Sequence, residues 1–134
     1  MRMAVGHFEI FSRDPERLAR FFRDALGWSA EAVPWDGPPY RKLRPPAETA
    51  PPARPVGGGI LAHPADPAPL LVFHLEEGTL EEALAGIEAA GGSIEAPPEA
   101  IGGMGRFARF LDPEGRSYGL WEGAGHPDRF KIGF

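Results

Sequence analysis

The sequence predicts an α+β fold made of two βαβββ modules, and two observations support this prediction. The order of one strand, one helix and further short strands occurs twice, in units of about 60 residues each. Within each unit, apolar residues change from two-residue spacing to helical spacing and back. We therefore expect one domain over residues 1–134, with module one at about 4–62, module two at about 69–122 and a C-terminal tail at 123–134.

The composition excludes several classes of function. The absence of cysteine excludes a disulfide framework, a thiolate metal site and a cysteine nucleophile. The net charge of −5 and the lack of a basic patch argue against a nucleic-acid partner. No apolar run approaches the roughly 18–20 residues that span a bilayer, so we expect no membrane association. The first residues lack the apolar core of a signal peptide, which predicts a cytoplasmic protein.

The first predicted strand carries a polar pair on one face. Residues 5–11 read VGHFEIF. Because strand side chains alternate, His7 and Glu9 share one side while Phe8 and Ile10 lie on the other. The segment is typical of a strand with one packed side and one functional or solvated side.

The first helix has a start signal and a stop signal. Asp14 is suited to cap the free N–H groups, and Pro15 is suited to the first helical position. Gly27 supplies the C-terminal stop. The apolar stripe between these signals consists of Leu18, Phe21, Phe22, Ala25 and Leu26.

The rest of module one has weaker signals. Short strands are predicted at about 28–33, 40–43 and 56–61. Residues 44–55 are rich in proline, which the interior of a sheet does not accept, so we interpret them as an exposed loop.

Module two repeats the order. Residues 70–75 (LLVFHL) predict a strand, and Thr79 with Glu82 predicts a capping box that opens a helix ending at Gly91. A short strand follows at 93–96, which we expect to be broken by the two prolines after it. Two further strands, at 107–111 and 117–122, are joined by a DPEG turn suited to a hairpin.

Four segments together resemble the vicinal oxygen chelate superfamily, which contains glyoxalase I, bleomycin resistance proteins and extradiol dioxygenases. They are VGHFEIFSRDPERLARFFRDALGW (5–28), GGGI (57–60), EEALAGIEAAGG (81–92) and GRFARFLDPEGRSYGLWE (105–122). The DPEG turn and the closing GLWE are similar to small bacterial members related to lactoylglutathione lyase. The resemblance covers residues 4–122. It implies eight strands curled into an open cup and a homodimer.

The resemblance also implies a test for a metal site, because metal-dependent members place one His, Glu or Gln ligand on each of four strands. His7 matches the first position. Residues 58–61 offer no ligand at the second, Leu70 stands near the third and Gly119 near the fourth. Glu122 is three residues further on, an odd number, so in a regular strand it points to the opposite face. We therefore expect no usual metal site and no cofactor, with a divalent metal in a rearranged site at His7 as the alternative.

The candidate catalytic residues are His7 and Glu9. His7 is suited to be a metal ligand, a general base or a hydrogen-bonding group of a pocket; the alternative is a structural histidine on a half-buried strand. Two residues apart on one face, His7 and Glu9 are able to bind an ion or shuttle a proton. A solvated salt bridge at Glu9 is the alternative.

The candidate substrate-binding residues combine polar and aromatic side chains. For Arg109 the alternatives are capture of a substrate carboxylate and a salt bridge to Glu9 or another acid. The aromatic residues are either pocket walls or plain core. His74 is a polar residue in an apolar strand, and alternation from Leu70 points it into the cup. The full set is His74, Arg109, Trp35, Tyr40, Phe107 and Trp121.

Three functions stay open at this point. The first is a glyoxalase/bleomycin-resistance-like protein that binds a small organic molecule without the usual metal. The second is a divalent-metal-dependent lyase, isomerase or dioxygenase with a rearranged site at His7. The third is a metal-free enzyme that uses His7 as a base. Glyoxalase I activity itself is disfavoured, since that reaction depends on the metal. The sequence does not identify the substrate.

Overall fold

A computed structural model describes residues 2–46, 56–65 and 67–124, and it contains two helices and eight strands in the predicted order. The tail predicted at 123–134 lies outside the described residues from 125 onward, as do 47–55 of the proline-rich loop. The elements are β1 (Met3–Ser12), α1 (Pro15–Leu26), β2 (Ser29–Ala32), β3 (Tyr40–Arg44), β4 (Gly58–Ala62), β5 (Leu70–Leu75), α2 (Leu80–Ala89), β6 (Ser93–Ile101), β7 (Gly105–Leu111) and β8 (Ser117–Gly123).

The strands form one open eight-stranded sheet in the order β2-β3-β4-β1-β5-β8-β7-β6. β1 pairs in parallel with β4, and β5 pairs in parallel with β8. The outer strands on each side pair antiparallel. The same order of pairing therefore occurs on both sides, and the predicted α+β fold of two βαβββ repeats is confirmed.

The chain divides into two compact units at a point inside β1. His7–Pro69 forms one, which we call the first unit, and the part that starts at Leu70 packs with the segment up to Gly6 to form the second unit. The predicted modules at about 4–62 and 69–122 stay a prediction. Within the described residues, neither helix is both long and apolar enough to cross a bilayer.

The first unit packs α1 against one face of its strands. Asp14 accepts a hydrogen bond from the backbone N–H of Arg17 at 3.1 Å, and Gly27 ends the helix with a positive φ of 73°. The predicted signals of this helix are thus those that the structure uses. Its buried core consists of Ala19, Ala30, Leu43 and Ile60, with Phe8, Ile10, Leu18, Phe22 and Trp28 packed against it.

The second unit repeats this arrangement with α2. Thr79 accepts a hydrogen bond from the backbone N–H of Glu82 at 3.2 Å. In a regular capping box the Glu82 carboxylate would accept from the backbone N–H of Thr79. Here it accepts from the Thr79 hydroxyl instead, at 3.2 Å. The buried core here is Leu75, Leu80, Ala83, Leu84, Ala108 and Leu120.

An ion-pair network joins α2 to β7 and β8. Arg106 donates to both carboxylate oxygens of Glu81, at 2.7 and 2.8 Å, and to both of Glu122, at 2.7 and 3.0 Å. Glu122 also accepts from the backbone N–H of Leu80, at the start of α2. Hydrogen bonds from Arg106 lower the pKa of Glu81 to about 2, and Arg106 also lowers that of Glu122. Glu122 therefore points to the helix side of the sheet, as the alternation argument requires.

The expected break at Pro97–Pro98 is wrong, because β6 continues through both prolines to Ile101. Proline cannot donate a hydrogen bond, but β6 is the last strand of the sheet and pairs only with β7. Its register with β7 shifts twice, between Ile94 and Ala96 and between Ala96 and Glu99. An edge position with such irregularities accommodates prolines that an interior strand would exclude.

Candidate functional site

The first unit carries a polar cluster on the sheet face opposite α1. Leu43 and Ile60 point to the helix side, so their strand neighbours point away from it. Glu9 on β1 stands beside Gly59 on β4, and Gly59 stands beside Lys42 on β3. We call this surface the His7 face and define it by His7, Glu9, Tyr40, Lys42 and Gly59.

Glu9 is the centre of the cluster. One of its oxygens, Oε1, accepts a hydrogen bond from His7 Nε2 at 2.9 Å and another from the Tyr40 hydroxyl at 3.1 Å. The His7 side chain is 2 % exposed and that of Glu9 is 13 % exposed. The predicted pair on β1 is thus in direct contact, and Tyr40, predicted as a pocket wall, is a hydrogen-bonding partner of the same carboxylate.

The second oxygen of this carboxylate, Glu9 Oε2, is buried and accepts no hydrogen bond from the described part of the chain. A buried acceptor left without a donor costs free energy, about 1–3 kcal/mol, so folded proteins rarely retain one without a reason. His7 and Tyr40 hold the carboxylate through Oε1 and make no hydrogen bond to Oε2. An O–H or N–H group of a ligand would satisfy it.

Gly59 makes room for this arrangement. A Cβ atom at Gly59 would lie 1.9 Å from the Tyr40 hydroxyl oxygen and 2.1 Å from the ring carbon that carries it. Contacts this short do not occur between non-bonded atoms. The end of the Tyr40 side chain therefore fills the space that any larger residue at position 59 would need.

Tyr40 remains a neutral hydrogen-bond donor. Burial raises its pKa far above the ordinary value, and the negative charge of Glu9 and the hydrogen bond to Glu9 raise the pKa further. Its ring also meets that of Trp35 edge-on, with centroids 6.4 Å apart. The Trp35 indole N–H donates to the Pro38 carbonyl at 2.8 Å, which holds this aromatic pair beside the cluster.

A Tyr118→Phe variant isolates the titration of Tyr40, because the chain has two tyrosines. We expect no rise in phenolate absorbance with pH until the alkaline protein unfolds. Adding Glu9→Gln should lower the pKa of Tyr40, since it removes a negative charge, but burial should hold it above about 10. A wild-type Tyr40 that ionises near its ordinary pKa while the fold is intact would contradict the geometry of the cluster.

Lys42 is a residue of this face that the sequence analysis missed. It is 8 % exposed, and within residues 2–46, 56–65 and 67–124 no hydrogen bond or ion pair joins its ammonium group to another side chain. Burial lowers its pKa, the charge of Arg44 lowers it further, and Glu31 opposes them. Because strand side chains alternate, Lys42 in YRKLR lies on the same face as Tyr40 and on the other face from Leu43. The sequence therefore contains the pattern that places Lys42 beside Tyr40.

The second unit brings three of the predicted substrate-binding residues together. His74, Trp121 and Phe107 stand side by side on β5, β8 and β7. His74 is buried, and its ring lies against Gly6. Trp121 is buried as well, and its indole N–H finds no acceptor among the described residues. Their role in binding stays a prediction.

Arg109 forms a salt bridge instead of standing free. Its Nε donates to Glu95 Oε1 at 2.8 Å, and the Ser117 hydroxyl donates to the same carboxylate at 2.8 and 2.9 Å. Its side chain is 32 % exposed. The salt bridge is thus present, with Glu95 as the acid and not Glu9, and capture of a substrate carboxylate by Arg109 stays a prediction.

The residues present do not fit the four-ligand metal site of the resemblance. His7 is the only matching ligand, and its Nε2 is engaged by Glu9. The β4 position beside Glu9 is Gly59, Leu70 is a buried apolar residue, and the Phe107 ring occupies the space where Gly119 would carry a side chain. Among the described residues no three His, Cys, Asp or Glu side chains converge on a point that would hold an ion.

An open α+β sheet of two βαβββ repeats, with a polar cluster on the face away from the helix, defines the class of this protein. The model of the Glyoxalase/Bleomycin resistance protein/Dioxygenase superfamily matches residues 4–117. The chain therefore belongs to that superfamily. No match was found among curated proteins.

Solved structures share the fold at low sequence identity. A hypothetical protein from Bacillus halodurans is 12 % identical, with a TM-score of 0.69 over 94 % of this chain and 98 % of that one. Methylmalonyl-CoA epimerase from Mycobacterium tuberculosis is 16 % identical, with a TM-score of 0.62 over 87 % and 85 %. The 2,2',3-trihydroxybiphenyl 1,2-dioxygenase from Sphingomonas wittichii is 17 % identical, with a TM-score of 0.57 over 90 % of this chain and 42 % of that one. At these identities the likeness concerns the fold.

Proposed function

We propose that the protein binds a small organic molecule on the His7 face, without the four-ligand metal site of its superfamily. The observation that supports this most directly is the buried Glu9 Oε2, which has no donor in the described part of the chain. A hydroxyl or amino group of the ligand supplies that donor. Tyr40 and Trp35 offer aromatic surface beside it.

The cluster is also arranged for proton transfer. His7 and Tyr40 both hold Oε1, and the lone pairs of Oε2 receive no donor from the described residues. A carboxylate oxygen in hydrogen-bond contact with an acidic C–H or O–H group is able to accept its proton. Glu9 is then the base, while His7 and Tyr40 orient its carboxylate. The metal-free enzyme proposed above with His7 as its base would therefore have two candidate bases, His7 and Glu9.

The structural neighbours agree with a small organic ligand. Methylmalonyl-CoA epimerase and the trihydroxybiphenyl dioxygenase are, by name, enzymes that act on organic molecules. The alternative function, a divalent-metal-dependent lyase, isomerase or dioxygenase, would use His7 together with Glu9 as a rearranged ligand pair. Two ligands fall short of the three protein ligands typical of a catalytic metal site, so the metal-free function is the one we propose.

The remaining expectations belong to the same proposal. The protein acts in the cytoplasm as a homodimer, without nucleic acid or membrane as a partner. His74, Phe107 and Trp121 contribute a second binding surface, and the unpartnered Trp121 N–H is its polar group. Arg109 belongs to the proposal as a further candidate, and a substrate carboxylate would compete with Glu95 for its guanidinium group.

Elemental analysis of untagged protein tests the metal-free proposal; a polyhistidine tag must be absent because it binds metal. We expect no stoichiometric zinc, nickel, manganese or iron, either as purified or after incubation with each ion and desalting. His7→Ala serves as the comparison. Stoichiometric metal that disappears in His7→Ala would overturn the proposal in favour of the metal-dependent enzyme.

A fragment screen by thermal shift tests binding itself. Fragments that carry an O–H or N–H donor should stabilise the wild type, and Glu9→Leu should abolish that stabilisation because it removes the acceptor. Glu88→Leu, at an exposed position of α2, is the matched control and should keep it. Fragments that stabilise Glu9→Leu as well as the wild type would show that the His7 face is not where they bind.

A further inference from the structure

We propose that the ligand is an organic monocarboxylate and that Lys42 is the residue that binds its carboxylate. This inference rests on the proposed function, because it names the charge of the molecule held on the His7 face. It adds a cationic contact to the acceptor that Glu9 provides. The ligand therefore has a carboxylate at one end and an O–H or N–H donor at the other.

The sheet places Lys42 and Glu9 in one row across its strands. Lys42, Gly59 and Glu9 stand side by side on β3, β4 and β1. Two strand spacings separate Lys42 from Glu9, roughly 10 Å between their backbones. Gly59 carries no side chain, and the Tyr40 hydroxyl fills its place. A small molecule lying across this row meets a cation, a phenol and a carboxylate in turn.

Lys42 combines a packed side chain with an ammonium group that has no anionic contact. The residue is 8 % exposed, yet its Nζ is not among the buried polar atoms that lack a hydrogen bond, so its aliphatic stem is packed while the ammonium group reaches solvent. Within the described residues no carboxylate contacts this ammonium group. Glu31, opposite it on β2, interacts only at longer range, and Arg44 on its own strand repels it. A bound anion would supply the missing partner and outweigh the repulsion by Arg44.

The charges on this face favour a ligand group with one negative charge over a group with two. Glu31 stands beside Lys42 on β2, Glu9 stands two strands away from it on β1, and the whole chain carries −5. A phosphate dianion would be repelled by both carboxylates about twice as strongly as a singly charged group at the same place. A carboxylate pairs with Lys42 and meets less of this repulsion.

The experiment uses an unusual feature of the composition: the chain has two lysines, Lys42 and Lys131. Protein labelled with ¹³C-lysine therefore gives two side-chain Cε signals, assigned with a Lys42→Met variant. The probes are phenylacetate, its neutral counterpart phenylacetamide, and inorganic phosphate. Phenylacetate carries only the carboxylate and so tests the contact with Lys42, while phenylacetamide carries an N–H donor for Glu9 and no charge. Both have an aromatic ring because the Tyr40 and Trp35 rings flank the cluster.

We expect phenylacetate to shift the Lys42 signal in a saturable manner and to leave Lys131 unchanged. Phenylacetamide should leave both unchanged. Lys42→Met should weaken phenylacetate binding by about tenfold or more, as expected for loss of a charged hydrogen-bond partner. Arg41→Met is the matched control, because Arg41 is the next residue on β3 but pairs with Glu16 of α1 on the other face; it should bind phenylacetate normally. Phenylacetate should also raise the pKa of Lys42, since an anion favours its charged form.

The outcomes separate this inference from the proposed function. If phenylacetate and phenylacetamide shift the backbone amides of Glu9 and Tyr40 equally and leave Lys42 unchanged, the inference fails while the proposed function stands. If phosphate binds more tightly than phenylacetate, the assignment of a monocarboxylate is wrong. If none of the three probes perturbs Lys42, Glu9 or Tyr40, the result counts against both.

Discussion

Replacing Gly105 with alanine is expected to lower the free energy of unfolding by about 3 kcal/mol, the sum of backbone strain and overpacking. Gly105 begins β7 with a φ of +155°, which L side chains rarely adopt. A Cβ there would lie 2.3 Å from the carbonyl oxygen of Glu122 and 2.9 Å from the Trp121 ring. The first of these atoms is backbone in the paired strand β8, so it cannot move without disturbing the β7–β8 pairing.

Gly103→Ala is the matched control, two residues before Gly105 in the turn between β6 and β7. A Cβ at Gly103 meets nothing within 4 Å, and its φ is not positive. Its stability should stay within about 0.5 kcal/mol of the wild type. Urea unfolding of the three proteins measures both effects, and equal midpoints for Gly105→Ala and Gly103→Ala would show that the strand pairing at Gly105 is not as described.

The helices were predictable from the sequence because their signals are local. Asp14 and Gly27 bracket α1 within a short segment, and Thr79 starts α2 by bonding a residue three positions away. Each signal acts through backbone groups of its immediate neighbours. Such contacts do not depend on what the rest of the chain does, so the sequence pattern contains them fully.

The course of β6 was not predictable in this way. Whether a proline fits a strand depends on whether its missing N–H would have faced another strand. Pro97 and Pro98 are tolerated because β6 ends the sheet order, and that order is set by long-range pairing. A sequence pattern shows where a strand-forming segment is interrupted, but not which side of it will be paired.

The same distinction between local and long-range contacts applies to the candidate site. Two-residue spacing places His7 and Glu9 on one face, and the hydrogen bond between them follows from that spacing. The bond from Tyr40 to Glu9 spans 31 residues and depends on the register of β3 with β4 and of β4 with β1. Alternation along β3 places Lys42 on the face of Tyr40, but the packing of its side chain is a property of the assembled sheet.

The largest effect on the candidate site is expected from Gly59→Ala. The added methyl group would occupy the position of the Tyr40 hydroxyl, so Tyr40 must move away from Glu9. We expect the free energy of unfolding to fall by about 2 kcal/mol, mainly from loss of a hydrogen bond to a charged group, since the end of the Tyr40 side chain moves more easily than backbone. Fragments that bind through Glu9 should lose their stabilising effect, because the carboxylate is no longer held from both sides.

A double-mutant cycle with Tyr40→Ala tests whether the two residues act on each other. Shortening Tyr40 opens the space above Gly59, so Gly59→Ala should cost at least about 1 kcal/mol less in that background. Gly86→Ala, where a Cβ meets nothing within 4 Å, serves as the control and should stabilise α2 slightly. If Gly59→Ala costs the same with and without the Tyr40 ring, the ring does not lie over Gly59. The carboxylate of Glu9 would then be held by His7 alone, and it would be free to turn either oxygen toward a ligand.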